Sequence, residues 1–287
     1  MASTTSNATE LTSEQLQSVL VQPLEDASVF LSAGPRIFDT DGSPVRIPKL
    51  TGMDDPSWTG EGEKIDEVDP SWDEITLLPQ GMKSVKSLTR YSNELARQSV
   101  VALEQVLRDR MVRDVANKVD HALIAGDGSD DTPTGLLHYS GTQEMTSVGT
   151  VELDDLHDAV GLAWAEHADP DSMRWMLRSD VFVHLRKLKD GQDRYQIQPD
   201  PTAEGAFRLL GIPVTVTNRI PEDAGASSIV LADFSQIAVA RDLEPSVVVL
   251  DQTYGDYDQQ AIRVVTRYDA APMNPEAIVV LRGVEAA

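Results

Sequence analysis

Trp58-Thr59-Gly60-Glu61-Gly62-Glu63-Lys64, followed by Trp72-Asp73 and by the alternating runs Ile75-Thr76-Leu77-Leu78 and Met82-Lys83-Ser84-Val85, is the stretch that decides the fold. It is long and acidic, and it carries Trp58 and Trp72. Alternation of apolar with polar residues predicts extended chain, so the segment reads as a two-stranded arm. An isolated hairpin in water is marginally stable at best. The apolar positions of the arm therefore bury either against another subunit or, as a surface loop, against their own domain.

Outward from the arm, residues 1 to about 35 read as a polar segment with one short amphipathic piece, in which Ser13 is an N-cap and Leu16, Val19 and Leu20 recur at helical spacing. Gly34-Pro35 and the strand-like Val45-Arg46-Ile47-Pro48 lead into the arm. On its other side, Ser92 and Asn93 start a helix that runs to the stop Gly126-Asp127-Gly128. Leu103, Val106, Leu107, Met111, Val115, Val119, Ala122 and Leu123 keep one apolar stripe along it. A helix of some 25 residues is roughly 40 Å long, a strut across a small domain.

Beyond the strut, a second amphipathic helix places Leu153, Leu156, Val160, Ala163 and Trp164 on one face and ends near His167. Strand-like residues 174–177 precede a helix capped by Ser179, with Phe182, Leu185 and Leu188 apolar. Strand patterns then recur at 212–217, 228–232, 237–240, 247–250, 262–267 and 277–281, separated by Pro and Gly turns. The succession is α+β rather than a regular βαβ series.

A chain of 287 residues with 41% hydrophobic content can bury one large core or two smaller ones. No apolar run reaches the ~20 residues that span a bilayer, and the Ser/Thr/Asn-rich start has neither a basic end nor an apolar stretch to mark it for export. Cysteine is absent, which removes disulfides, thiolate metal sites and cysteine nucleophiles. A net charge of -23 opposes direct nucleic-acid binding, whose affinity comes largely from Lys and Arg displacing counterions. Arg108, Arg110 and Arg113, set among Glu104, Asp109 and Asp114, read as a solvated, salt-bridged helix face.

Catalytic and cofactor patterns are missing. Gly60-Glu61-Gly62 has neither the third glycine nor the preceding strand of a dinucleotide site, and its glutamates would repel a pyrophosphate. Asp127, Ser129 and Asp131 stand at calcium-loop spacing, but Thr132 replaces the turn glycine and His138 the bidentate glutamate, so a turn is expected there. His121, His138, His157, His167 and His184 include no pair at the spacing that puts two imidazoles on one helix face. No G-x-S-x-G elbow occurs. No metal, cofactor or enzymatic role is expected.

Read in order, Trp58-Thr59-Gly60-Glu61-Gly62, the helix ending in Gly126-Asp127-Gly128 with Thr132-Pro133-Thr134-Gly135-Leu136-Leu137, and Leu177-Arg178-Ser179-Asp180 resemble the major capsid proteins of tailed phages with the Hong Kong 97-like fold. Leu209-Leu210-Gly211-Ile212-Pro213-Val214, Ala232-Asp233-Phe234, Ala240-Arg241-Asp242 and Arg267-Tyr268-Asp269 continue the resemblance in the same order. It covers residues from about 30 to 284.

The resemblance implies an N-terminal arm over 1–44, an extended E-loop over 45–86, a P domain with the spine helix over 87–150, an A domain over 151–250 and a return to the P-domain sheet over 251–287. It implies copies of the chain as the main partner, in pentamers and hexamers that close an icosahedral shell around double-stranded DNA without reading its sequence. Scaffolding would come from a separate protein or be dispensable, a portal protein would be a further partner and a decoration protein an optional one, and the shell would assemble in the host cytoplasm. The short arm before the E-loop departs from relatives that carry a long cleaved scaffolding region. The isopeptide cross-link of some relatives is not expected, because Gln259 and Gln260 stand where the second partner of Lys64 would be.

As inter-subunit contacts, Trp58 and Trp72 are the candidate aromatic anchors, and Glu61, Glu63 and Lys64 the candidate partners of charges such as Arg90 or Arg241 on a neighbour. Packing of either tryptophan within its own subunit is the alternative. The acidic balance suits a wall that does not immobilise the enclosed DNA. An encapsulin-like compartment shell and, from another class, an acidic hydrolase are the rival functions.

Overall fold

Strands that are apolar on both faces lie at the centre of the molecule, and the rest is arranged around them. The computed structural model describes residues 27–52, 71–94, 103–197, 207–223, 225–242, 246–250 and 253–285. In chain order these hold β1 (Arg36–Thr40), β2 (Val45–Gly52), β3 (Ser71–Leu77), β4 (Val85–Ser92), α1 (Leu103–Ala125), β5 (Gln143–Met145), β6 (Gly149–Thr150), α2 (Leu153–Ala165) and β7 (Met173–Leu177). Then follow α3 (Ser179–Lys187), β8 (Arg208–Leu209), β9 (Ile212–Val216), β10 (Ala226–Asp233), β11 (Ile237–Asp242), β12 (Ser246–Leu250), β13 (Gln259–Thr266), β14 (Tyr268–Pro272) and β15 (Ile278–Glu285).

A seven-stranded sheet runs in the order β5-β15-β10-β7-β9-β8, with β6 also on β15. Because side chains alternate across a strand, Trp175 and Leu177 of β7, Ile229 and Leu231 of β10, and Val279 and Leu281 of β15 enter one core. There they meet Leu156, Ala159 and Ala163 of α2 and Val181 and Leu185 of α3. Their neighbours Met176, Val230, Ala232, Ile278 and Val280 enter a second core with Val115, Val119 and Leu123 of α1. Cover on both faces explains why these strands read as unbroken apolar runs.

Two smaller sheets flank the α1 core. In β12-β13-β4 the central strand is antiparallel to both neighbours and sends Ile262 and Val264 towards α1. In β1-β11-β14, Ile237 and Val239 of β11 face the α1 core, while Ala238 and Ala240 face a third cluster around Leu77 and Leu78. The strands are thus not shared between sheets in blocks of sequence. β11 and β12 pair outside the large sheet, and β15 rejoins it rather than a sheet with β13.

Several local expectations change. The antiparallel hairpin is made by β2 and β3, with Val45 opposite Leu77 and Leu50 opposite Trp72. The alternating run that begins at Val85 belongs to β4, whose Ser92 pairs with Gln259, so Ser92 ends a strand. Within the expected strut, Asn93 and Glu94 are helical and α1 is described from Leu103, with Val106 51% exposed rather than on the buried stripe. Trp164, expected on the buried face of α2, is 56% exposed. Arg178 rather than Ser179 is the N-cap of α3, and the Ser179 hydroxyl instead donates to Asn218 at 2.8 Å.

The end of α1 accounts for one glycine-rich motif. A Cβ at Gly126 would lie 2.3 Å from the Pro133 carbonyl oxygen, and one at Gly135 would lie 2.6 Å from the Gly126 nitrogen. The backbones cross in contact, with Gly135 N–H donating to Gly126 O at 2.8 Å. That crossing delivers Leu136 and Leu137 into the core under α1.

One buried acid ties the chain before β1 to α1. Asp120, fully buried on α1, accepts from the Ser28 hydroxyl, from Val29 N–H at 2.9 Å and from Phe30 N–H at 3.2 Å. Arg219 Nε lies 3.2 Å from its Oδ2, within ion-pairing range though off the line of a hydrogen bond. Asp120→Ala leaves one buried and one part-buried amide without an acceptor and a cation without its counter-charge. The expected cost is about 3 kcal/mol, the lower end for a broken buried pair because Arg219 keeps some access to water. Denaturant unfolding of dissociated subunits measures it, and a loss below about 1 kcal/mol contradicts this role.

Candidate inter-subunit surfaces

The arm leaves the body at a joint built by the residues that follow β3. Leu77 and Leu78 are buried against Ala238 and Ala240 of β11, with Phe38, Val45, Ile47 and Ile75 packed around them. Leu78 has φ 52, in the left-handed region, which costs a branched residue roughly 1 kcal/mol or more. That conformation turns the chain out of β3 and aims the Leu78 N–H at Oδ2 of Asp269, 2.8 Å away on β14.

Neighbouring contacts fix the same turn. Arg267 Nη2 donates to Pro79 O at 2.6 Å, Met82 N–H to Pro79 O at 3.0 Å, and Lys83 N–H to Asp131 O at 2.9 Å. The Arg267-Tyr268-Asp269 motif is therefore the body's half of the joint. Burial pushes the Asp269 carboxyl above the ordinary aspartate range, against the opposing pull of the Leu78 and Ala270 amides and of Arg267. Burial also raises the Tyr139 phenol, with the Asp269 charge adding to the effect.

A groove of about 640 Å³ opens beside the joint, lined among others by Thr76, Met82, Asp131, Tyr139 and Asp269. Its Asp127 end is a closed turn: Ser129 donates to Asp127 Oδ1 through both N–H and hydroxyl, at 2.9 and 2.7 Å, which lowers that carboxyl's pKa. Among the described residues no group of three or more His, Asp or Glu side chains converges as a metal site.

The contact residues expected from sequence fall in different settings. Trp58, Glu61, Glu63 and Lys64 lie outside the described residues. Trp72 stands in β3 opposite Leu50. Arg90 is exposed on β4, with its guanidinium 4.1 Å from the centre of the Tyr254 ring. Arg241 is 6% exposed and lies 2.6 Å from Asp39 of its own chain, on the adjacent strand β1.

Other apolar groups are exposed that the sequence did not place at the surface. Trp164, Leu88, Val183, Phe207 and Tyr257 are each about half exposed or more. Val183 is flanked at helical spacing by Arg186 and Lys187, a basic cluster in an acidic chain that was legible as such. Trp164 read as a buried residue, because it adjoins the buried stripe of α2.

The arrangement is a rigid body with a clamped arm and apolar groups left at its surface, a shape that suits assembly. Consistent with it, the phage capsid family model matches residues 10–283, and the chain belongs to that family. Its fold is the α+β fold of Hong Kong 97-like capsid proteins.

The chain is similar to the major capsid protein of Klebsiella oxytoca phage phiKO2, 24% identical over 94% of this chain and 67% of that protein. It is also similar to the major capsid protein of Halomonas phage phiHAP-1, 25% identical over 49% of this chain and 23% of that protein. Among solved structures, the capsid of a native GTA particle superposes with a TM-score of 0.72 at 22% identity, over 89% of this chain and 90% of that one. A structure from Mycobacterium phage Adephagia gives 0.71 at 15% identity, over 91% and 90%. The SrpI encapsulin of Synechococcus elongatus gives 0.62 at 14% identity, over 90% and 88%, and shares the fold.

The joint has a pH signature. A carboxyl whose pKa is raised by folding contributes stability below its unfolded pKa and loses that contribution as pH rises through the folded value. Lowering the pH from neutral towards the ordinary aspartate range should therefore stabilise the wild type relative to Asp269→Asn, which does not titrate. Unfolding midpoints of both proteins across that range test this, and a difference that does not change with pH contradicts it.

Proposed function

We propose that this chain is the major capsid protein of a tailed phage, whose copies form pentamers and hexamers that close an icosahedral shell around double-stranded DNA. The observation that carries this reading is the phage capsid family match across residues 10–283. The role is structural rather than catalytic, with the virion as the site of action and the host cytoplasm as the place of assembly. Separate scaffolding, portal and decoration proteins complete the list of partners. The DNA is enclosed without sequence-specific contacts, in keeping with a net charge of -23.

In this reading the β2–β3 hairpin is the E-loop, α1 is the spine of the P domain, and the seven-stranded sheet with α2 and α3 is the core of the A domain. The joint at Leu78 sets the angle at which the E-loop leaves to lie over a neighbour. Trp58 and Trp72 are its anchors, and Glu61, Glu63 and Lys64 set its register against charges such as the exposed Arg90. Arg241 already has Asp39 as an ion-pair partner in its own chain, which makes it the weaker candidate of the two arginines.

An encapsulin-like compartment is the second reading, favoured by the fold shared with the SrpI encapsulin. The two differ in contents, so nucleic acid or a cargo enzyme inside purified particles distinguishes them.

Electron microscopy of the purified chain tests the capsid reading, with closed shells expected and isolated subunits at all concentrations contradicting it. Trp58→Ala should leave a subunit with unchanged circular dichroism that assembles poorly. An anchor of this kind is worth about 2 kcal/mol or more, roughly thirtyfold in an association constant. Shells at wild-type yield from that variant would remove Trp58 as an anchor.

A further inference from the structure

Two unlike patches lie on the helical layer over the seven-stranded sheet. On α2, Asp154 and Asp158 are exposed at i and i+4, and Trp164 of the same helix is 56% exposed. On α3, Arg186 and Lys187 are exposed beside Phe207, which is 48% exposed and packs edge-on at 5.0 Å against Phe182. The Arg186 guanidinium lies 5.8 Å from the Phe207 ring centre, so charge and apolar surface belong to one patch. Among the described residues, no ion pair joins Arg186 or Lys187 to a carboxylate, or Asp154 or Asp158 to a cation.

Their placement is as telling as their charge. Both helices feed the same core on the same face of the sheet. α2 packs on β15 and β10, beside the β5 edge. Phe207 directly precedes β8, the strand at the opposite edge. The acidic pair thus lies over one side of the sheet, on the face of α2 that points away from its buried Leu156, Ala159, Val160 and Ala163, with Trp164 roughly a quarter turn or more round the helix from it. The basic patch with its exposed phenylalanine lies over the other side.

We infer that the Arg186/Lys187/Phe207 patch of one copy docks on the Asp154/Asp158 face of α2 in the next. The occupant of each patch is a second copy of this chain. This rests on the capsid reading and gives it a specific contact. Pairing like patches would set acid on acid or base on base, which repels. Pairing unlike patches is heterologous and leaves each copy one free patch of each kind, so the chain of contacts continues until the rotation closes a ring. The Coulomb attraction fixes register, and burial of Phe207 supplies the apolar contribution.

Charge reversal tests the contact without disturbing the core, since all four charged residues are exposed. Asp154→Lys/Asp158→Lys and Arg186→Glu/Lys187→Glu, each made separately in the full chain, should stay folded by circular dichroism, with the unfolding midpoint lowered only modestly because a first-turn acid of α2 or last-turn bases of α3 no longer complement the helix dipole. Each should raise the concentration needed for ring and shell formation by roughly tenfold or more, as sedimentation reads it. The fourfold variant, with both patches reversed, should restore assembly to within about threefold of wild type. Mixing the two twofold variants forces them to alternate, so the mixture should form only even-membered rings in electron micrographs.

Wild-type assembly by both twofold variants, or no recovery in the fourfold variant, overturns the contact and leaves the capsid reading standing. Twofold variants that assemble normally but lose a separate protein from their particles give the patches to that protein, and also overturn it. A wild-type chain that forms neither rings nor shells overturns the contact and the capsid reading together.

Discussion

Burial of one sheet on both faces is the constraint from which the rest of this structure follows. β7, β10 and β15 can be apolar at successive residues only because α1 covers one side and α2 with α3 the other. Two cores that share a sheet cannot slide independently, since moving a strand for one displaces its alternate residues in the other. The result is a stiff body. Its polar groups and its unmatched apolar groups are driven to the edges of the sheet, to the outward sides of the helices and to the appended hairpin.

The hairpin is joined to that body at a point where two costly features meet. Leu78 holds a left-handed backbone conformation with its side chain buried, and Asp269 holds a desolvated carboxyl. Each is tolerated because of the other: the turn at Leu78 presents its amide to the carboxyl, and the carboxyl satisfies an amide that would otherwise be buried and unpaired. Arg267, reaching Pro79 from the residue just before β14, locks the next residue. An arm fixed this way leaves the body in a set direction, which repeated docking on a curved shell requires.

Sequence revealed the long elements and missed the joints, for physical reasons. Helical and strand periodicity located α1, α2, α3, β7, β9, β10, β11, β12, β13 and β15, because each presents a regular apolar face. It did not divide the runs around Leu78. The alternation continues through Met82 to β4, and the break depends on Asp269, distant in sequence and adjacent in space. Nor did it assign strands to sheets, since β11, β12 and β15 are equally apolar and differ only in which long-range partner they find. Trp164 misled because its position beside the buried stripe of α2 is compatible with either side. Asp120 gave no warning either: an acid on a helix reads as solvated, and only the amides at Val29 and Phe30 bring it inside. The motifs behind the family resemblance prove to be joints of this kind, with Gly126 and Gly135 at a backbone crossing and Asp269 at the hairpin root.

A stiff body, a clamped arm and unlike charges on its helical layer describe a part that is completed by its own copies. Hydrogen exchange on dissociated subunits and on assembled particles tests that claim most directly, because it reads each backbone amide in both states. The account predicts equal, strong protection of β7, β10 and β15 in the two states, with the β2–β3 hairpin gaining protection only in the particle. A hairpin already as protected in the free subunit as in the particle would mean that the chain covers its own arm, and would contradict the account.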